Sequence, residues 1–279
     1  METGKIEINL SQLYYERSEP GIPLIFVHGA FADMHIFDPQ WDFFIERVPI
    51  LRFDLRGHGK SGSSGLAHYR MDTYVEDLAA MMNALDIPAA IICGQSWGGS
   101  IAQGFASRYP DRVKGLVLAG SMVSMSLTFA EKIQRYVLVP KWLMQLVIRS
   151  MSVQNFIKFS FWLADVFFGK DFLSHEVETS DYLKKTMLSI NSQEYLKIWG
   201  AIYDFDMFPL ERISCPTLVL NGENEPGKIM RHSKELLNRI PCSQHKIIPE
   251  AKHGMSMENP RLFNQTVDEF IKLLKNGIE

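Results

Sequence analysis

Ala89-Ala90-Ile91-Ile92-Cys93-Gly94-Gln95-Ser96-Trp97-Gly98-Gly99 decides how this 279-residue chain is read. Five small or apolar residues with the character of a strand lead into a serine held between two glycines, and a helix-like stretch, Ser100 to Arg108, follows. Small neighbours suit a strand-to-helix turn so tight that bulkier side chains would collide. Such a turn lifts the hydroxyl out of the sheet and leaves the next backbone N–H pointing at the same space. Exposure, a rigid position and an adjacent donor are what a nucleophile needs. G-x-S-x-G by itself also occurs in ordinary loops. The strand before it and the helix after it set this one apart.

Outward from that turn, short β-rich apolar runs alternate with amphipathic stretches, as in a mainly parallel sheet flanked by helices. Strands are expected over Lys5–Leu10, Leu13–Arg17, Pro23–His28, Val48–Phe53, Ala89–Cys93, Gly115–Ala119, Thr217–Asn221 and His245–Ile248, the first two as a hairpin at the sheet edge. Helices are expected over Met71–Leu85, Ser100–Tyr109, Lys228–Ile240 and Pro260–Asn276. In the last, Leu262, Phe263, Val267, Phe270, Ile271 and Leu274 fall on one stripe.

The alternation stops after Gly120 and resumes near Cys215-Pro216. A connection of roughly ninety residues is too long for a bare loop, so an inserted helical cap is expected. The division is a core of residues 1–120 and 211–279 and a cap of 121–210. Aromatics and methionines crowd the cap, among them Met122, Met125, Phe129, Tyr136, Trp142, Met144, Met187 and Trp199. Most should form its own core and some should line an apolar pocket above the sheet. Within it, Val153–Gly169 carries Phe156, Phe159, Phe161, Trp162, Leu163, Val166, Phe167 and Phe168, interrupted by Lys158 and Asp165. It falls short of the ~20 apolar residues of a spanning helix. A buried cap helix is the main reading, and contact with a lipid surface the lesser one.

Hydrophobic residues make up 46% and charged residues 22% of the chain, the balance of an ordinary globular protein. The net charge of −3, with no dense basic block, offers nucleic acid no electrostatic footprint. Cys93, Cys215 and Cys242 show neither a disulfide framework nor metal-ligand spacing, and Cys93 and Cys215 read as buried, inert thiols. No metal or organic cofactor is expected. The amino-terminal residues lack the layout of a signal peptide, so a cytoplasmic location is expected. Nothing in the sequence separates a monomer from a homodimer.

A serine nucleophile needs a base within hydrogen-bond reach and an acid behind the base. Of the eight histidines, His253 is the candidate base, because it lies between the last strand and the last helix, flanked by Ala251 and Gly254. The acid should follow the preceding strand, in Gly222-Glu223-Asn224-Glu225-Pro226. Glu225 is preferred, with Glu223 as its rival. Phe26-Val27-His28-Gly29-Ala30-Phe31 runs from a strand into a glycine turn and would set the N–H of Ala30, or less favourably Phe31, opposite that of Trp97 as an oxyanion hole. His28 is read as a structural residue that orients this loop.

The order Ser96, Glu225, His253, the G-Q-S-W-G turn and the H-G-A-F loop together resemble the α/β-hydrolase superfamily. Phe53-Asp54-Leu55-Arg56-Gly57-His58-Gly59-Lys60-Ser61 is similar to that family's D-x-R-G-x-G-x-S turn, which implies loop-organising roles for Asp54 and Arg56. The likeness covers about Lys5 to Gly120 and about Arg212 to the end. The cap matches only as a kind of insertion. Most capped members have Asp where this chain has Glu225, although glutamate serves in cholinesterase-like members and some lactonases. Ser96 argues against epoxide hydrolases and haloalkane dehalogenases, which place Asp at the nucleophile. The resemblance implies a serine hydrolase acting on a small carboxylic ester or lactone with an apolar acyl or aromatic group, an N-acyl homoserine lactone being one instance. A C–C bond hydrolase, a peptidase, a lyase or peroxidase-like activity, and a slowly hydrolysing ligand receptor would share the same three residues.

Overall fold

The computed structural model describes residues 1–169 and 176–276, without the side chains of Phe167 and Phe168. The side chains of these two cap phenylalanines therefore lie outside what is described. Eight strands form one sheet: β1 (Glu2–Ile8), β2 (Ser11–Arg17), β3 (Leu24–Val27), β4 (Ile50–Phe53), β5 (Ala90–Gln95), β6 (Val113–Ala119), β7 (Thr217–Gly222) and β8 (Ser243–Ile248), in the order β1-β2-β4-β3-β5-β6-β7-β8. The β1–β2 hairpin is antiparallel, as is β2 against β4, and every later pairing is parallel. All eight expected strands are present, and the hairpin lies at the edge. The centre of the sheet is buried on both faces, which is why its strands read as continuous apolar runs.

Side chains alternate across that sheet into two cores. Ile25, Val27, Ile92, Leu116, Leu118 and Val219 enter one, and Leu24, Phe26, Cys93, Val117, Leu218 and Leu220 enter the other. Helices α2 (Met71–Ala84) and α3 (Trp97–Arg108) cover the first face through Leu78, Ile101 and Phe105. On the second face, α1 (Asp38–Phe44) and the carboxyl-terminal helix contribute Phe44, Phe263, Val267, Phe270 and Ile271. The sequence pattern did not single out α1. Seven residues with Pro39 in the second place are too few to display a helical period, and the helix is held by the core it covers.

Between β6 and β7 lie the cap helices. They are α4 (Phe129–Ile133), which runs on into a π-helical turn at Gln134–Leu138, then α5 (Lys141–Ser150), α6 (Val153–Phe168), α7 (Val177–Ser189) and α8 (Ser192–Tyr203). Sequence marks several of these boundaries. Thr128 accepts from Glu131 N in a reciprocal capping box, Pro140 separates the π turn from α5, and Asn191 accepts from Gln193 N and Glu194 N. After the cap come α9 (Gly227–Arg239), α10 (Met255–Glu258) and α11 (Pro260–Asn276). The cap aromatics divide three ways: Tyr195 and Phe205 are core, Phe156, Phe161 and Trp199 line a cavity, and Phe129, Trp142 and Trp162 are exposed. Among the described residues no helix is long and apolar enough to cross a membrane.

Candidate active site

Strand β5 carries Gln95 to the carboxyl edge of the sheet, and α3 starts at Trp97, so Ser96 occupies the whole turn. Its backbone is held at φ 54° and ψ −119°, a strained conformation for a residue other than glycine. The strain is held by packing: Ser96 N–H donates to Ala119 O at 2.8 Å, and Gly98 lies so close to β3 that a Cβ there would come within 2.0 Å of Val27 O. Ser96 alone is partly exposed in the otherwise buried stretch Ala90–Ser100.

His253 reaches this serine from the loop after β8, with Nε2 2.9 Å from Ser96 Oγ. Its Nδ1 is 2.5 Å from Glu225 Oε1, and the other Glu225 oxygen accepts from Gly222 N at 3.3 Å. A carboxylate accepts here, so Nδ1 carries the proton and Nε2 is the lone-pair nitrogen facing the hydroxyl. His253 is 6% and Glu225 8% exposed, so these contacts are largely shielded from water. Glu223 lies apart. It is exposed, and its carboxylate accepts from Glu250 N at 3.0 Å.

Ala30 and Phe31 line the space in front of Ser96, and the Trp97 indole is buried between the rings of Tyr74 and Phe205. The Phe31 N–H donates to His58 Nε2 at 3.1 Å. His58 in turn donates from Nδ1 to Arg56 O at 2.8 Å. His28 repeats the pattern, donating from Nδ1 to Gly29 O at 2.8 Å and accepting from Leu55 N at 2.9 Å. Both rings are fully buried. Burial lowers the pKa of His28, and burial together with the neighbouring His28 pushes that of His58 down to about 3. They act as neutral clamps between two loops.

Asp54 accepts from Met34 N at 2.9 Å and Lys60 N at 2.6 Å, and burial raises its pKa despite those bonds and the nearby His28. Arg56 is fully buried and pairs in bidentate fashion with Asp77 at 2.8 and 2.5 Å, while also donating to Asn9 O and Ser64 Oγ.

A family model described as alpha/beta hydrolase fold matches residues 22–260. The chain belongs to this family. As an α/β-hydrolase it is 26% identical over 250 residues to "3-oxoadipate enol-lactonase 2" of Acinetobacter baylyi, covering 89% of this chain and 88% of that protein. Its fold is similar to the enol-lactonase of Burkholderia xenovorans LB400, with TM-score 0.80 and 21% identity over 96% of this chain and 100% of the other. It is also similar to a thermophilic esterase from Thermogutta terrifontis, with TM-score 0.78 and 23% identity over 98% and 99% of the two chains. The chain is thus a hydrolase of a family that contains esterases and lactonases.

Two further residues of this α/β-hydrolase hold the site, and sequence reading did not single them out. Gln95 donates from Nε2 to His253 O at 3.0 Å and ties the histidine loop to the serine turn. Gly120 has φ +56°, and a Cβ there would come 2.9 Å from His253 Nδ1, so glycine leaves room for the imidazole. The only local signal for either is position, since Gln95 adjoins Ser96 and Gly120 ends β6. Above Ser96 and His253 opens a cavity of about 310 Å³, walled by apolar cap residues such as Met122, Met144, Phe156 and Trp199. Its volume falls at the small end of ligand sites, which run from about 300 Å³. Glu131, Arg135 and Lys228 add a polar margin to an otherwise apolar lining. Among the described residues there is no cluster of side chains fit to hold a metal ion.

Proposed function

We propose that this α/β-hydrolase cleaves a carboxylic ester or lactone bearing an apolar acyl or aromatic group, through an acyl-enzyme at Ser96. The observation that carries the reading is the continuous relay from Glu225 through His253 to Ser96, at 2.5 and 2.9 Å, opening into an apolar cavity. His253 Nε2 takes the hydroxyl proton as Ser96 Oγ attacks the carbonyl carbon. Glu225 holds the ring in the tautomer that leaves Nε2 unprotonated toward Ser96, and its charge stabilises the imidazolium without taking the proton. The oxyanion then sits between the backbone amides of Ala30 and Trp97. Ala30 is preferred over Phe31 because the Phe31 N–H is already committed to His58. His253 next protonates the departing alkoxide. In a lactone that alkoxide remains tethered to the acyl chain. Water, activated by the same imidazole, releases the acid and restores the serine.

The cavity wall favours an acyl or aromatic group of modest size, and the enol-lactonase relative makes lactones the first substrates to try. N-acyl homoserine lactones belong in the same panel. A fluorophosphonate probe is expected to label Ser96, and Ser96→Ala to lower kcat on a short p-nitrophenyl ester by about 10⁵-fold with the fold intact by circular dichroism. Turnover unchanged by that substitution would end the reading. Product analysis over esters, lactones and acyl-homoserine lactones then assigns the leaving group.

A further inference from the structure

Ten of the seventeen exposed large apolar side chains among the described residues fall between Phe129 and Val166, although this segment is a small part of the chain. Its three helical pieces share one plan. In α4 and the π turn, Gln134 and Arg135 face the cavity while Phe129, Ile133, Tyr136 and Val137 face outward. In α5, Met144 faces the cavity, and Trp142, Leu146 and Arg149 share the exposed side at spacings of four and three. In α6, Phe156, Ser160 and Phe161 face the cavity, while Lys158, Trp162 and Val166 lie outside. A single layer of helices, about 10 Å thick, separates the substrate cavity from this outer apolar face.

The exposed charges that these helices themselves carry have one sign, and the exposed carboxylates that reach them from beyond α8, Asp204 and Asp206, are each paired with a cation of the same segment, Lys141 and Arg135. Between Phe129 and Val166 the exposed charged side chains are Lys132, Arg149 and Lys158, all cationic, on a chain whose net charge is −3. Glu131 is buried and Asp165 half-buried, so neither offers an exposed anion. Both exposed tryptophans of the protein, Trp142 at 66% and Trp162 at 58%, lie here, while Trp41 and Trp97 are buried and Trp199 lines the cavity. Exposed Trp and Tyr interleaved with Lys and Arg on helix faces suit a lipid–water interface. There the rings sit at headgroup level and the cations meet anionic headgroups. A second copy of the chain fits less well, because self-pairing of this face would bring two sets of Lys132, Arg149 and Lys158 into one interface.

We propose that the outer face of α4, the π turn, α5 and α6 docks on an anionic lipid surface. The cap thereby rests against the phase in which an apolar ester partitions, with the cavity directly behind it. The docking stands without the hydrolase reading; only the source of the substrate rests on it.

The test uses the whole protein with vesicles of phosphatidylcholine alone and of phosphatidylcholine mixed with phosphatidylglycerol. Flotation should recover the protein with the anionic vesicles, less so as salt is raised, and the emission of Trp142 and Trp162 should shift to shorter wavelength. The triple variant K132E, R149E, K158E should lower the partition coefficient by at least about 100-fold. The double variant W142S, W162S should lower it by about tenfold or more. Both should hydrolyse a soluble short-chain ester at the wild-type rate, and both should lose turnover of a long-chain ester carried in anionic vesicles in step with lost binding. Ser96→Ala should bind vesicles as the wild type does, so a failure of the catalytic reading leaves the docking measurement intact. Wild-type protein that fails to float with anionic vesicles would overturn the proposal, as would variants that float equally well. Sedimentation showing a dimer that these same substitutions dissociate would overturn it too, in favour of a self-interface.

Discussion

At the rim of the sheet, Ser96, Glu225 and His253 are held by backbone contacts on every side, whereas the cap helices α4 to α6 meet solvent with tryptophan, leucine and phenylalanine. The rim is over-determined. Gly98 cannot carry a side chain against β3, Gln95 tethers the histidine loop, and two buried neutral histidines clamp the H-G-A-F loop to the D-x-R-G turn. Such surroundings hold a strained serine at one geometry, which is what a proton relay needs. The cap is constrained on its inner side alone, by cavity-lining residues such as Met144 and Phe156. Its outer side keeps the freedom to meet another surface. One fold thus assigns precision to the sheet and adaptability to the insertion.

That contrast can be broken at the rim first. Asp77→Ala would leave the Arg56 guanidinium, fully buried, with no carboxylate partner. A loss of about 3–5 kcal/mol in urea-unfolding free energy is expected, the usual cost of orphaning one member of a buried ion pair. A loss under about 1 kcal/mol would show that the rim relaxes more readily than its contacts imply.

Next in size, Glu225→Ala should cut kcat at least about 100-fold with a small change in melting temperature, because the imidazole loses its orienting acceptor rather than its packing. Near-normal activity would mean that the imidazole needs no carboxylate from Glu225 behind it.

The histidine clamps make a pH prediction. An unfolded chain protonates residue 58 near pH 6.5, whereas the folded chain keeps that ring neutral down to about pH 3. The unfolded state therefore binds more protons in this window. The stabilisation is complete above pH 6.5 and is lost as the pH falls toward 3, at ~1.4 kcal/mol per pH unit from this residue. Urea titrations at about pH 7 and about pH 5 should show a shallower loss in His58→Asn than in the wild type. Equal slopes would mean the ring is solvated in the folded protein.

The smallest effect is expected on the outside of the cap, where Leu146→Ser should change stability by no more than about 0.5 kcal/mol. A large destabilisation there would mean that the exposed face is packed against something in solution.

Much of the rim was legible in the residues themselves. Period-two burial on a doubly covered sheet makes apolar runs, so all eight strands could be read, and the strand–serine–helix turn has few sequences able to build it. Other parts were not legible, for physical reasons. Nothing local to Gln95, His58 or Gly120 reveals that each meets a residue from another loop. The seven residues of α1 owe their helix to the core beneath them. In α5 the inward pair Met144 and Ile148 and the outward pair Trp142 and Leu146 are equally apolar, so helical spacing alone cannot say which faces the cavity.

The sequence by itself determined the order of strands and helices, the elbow at Ser96 and the family, because these rest on local sterics and on periodicity. Tertiary structure alone decided which carboxylate meets the imidazole, that the Phe31 amide is spent on a histidine, and which side of the cap turns outward. Each of those depends on distances between segments far apart along the chain, and such distances are set by how the two cores pack against the sheet.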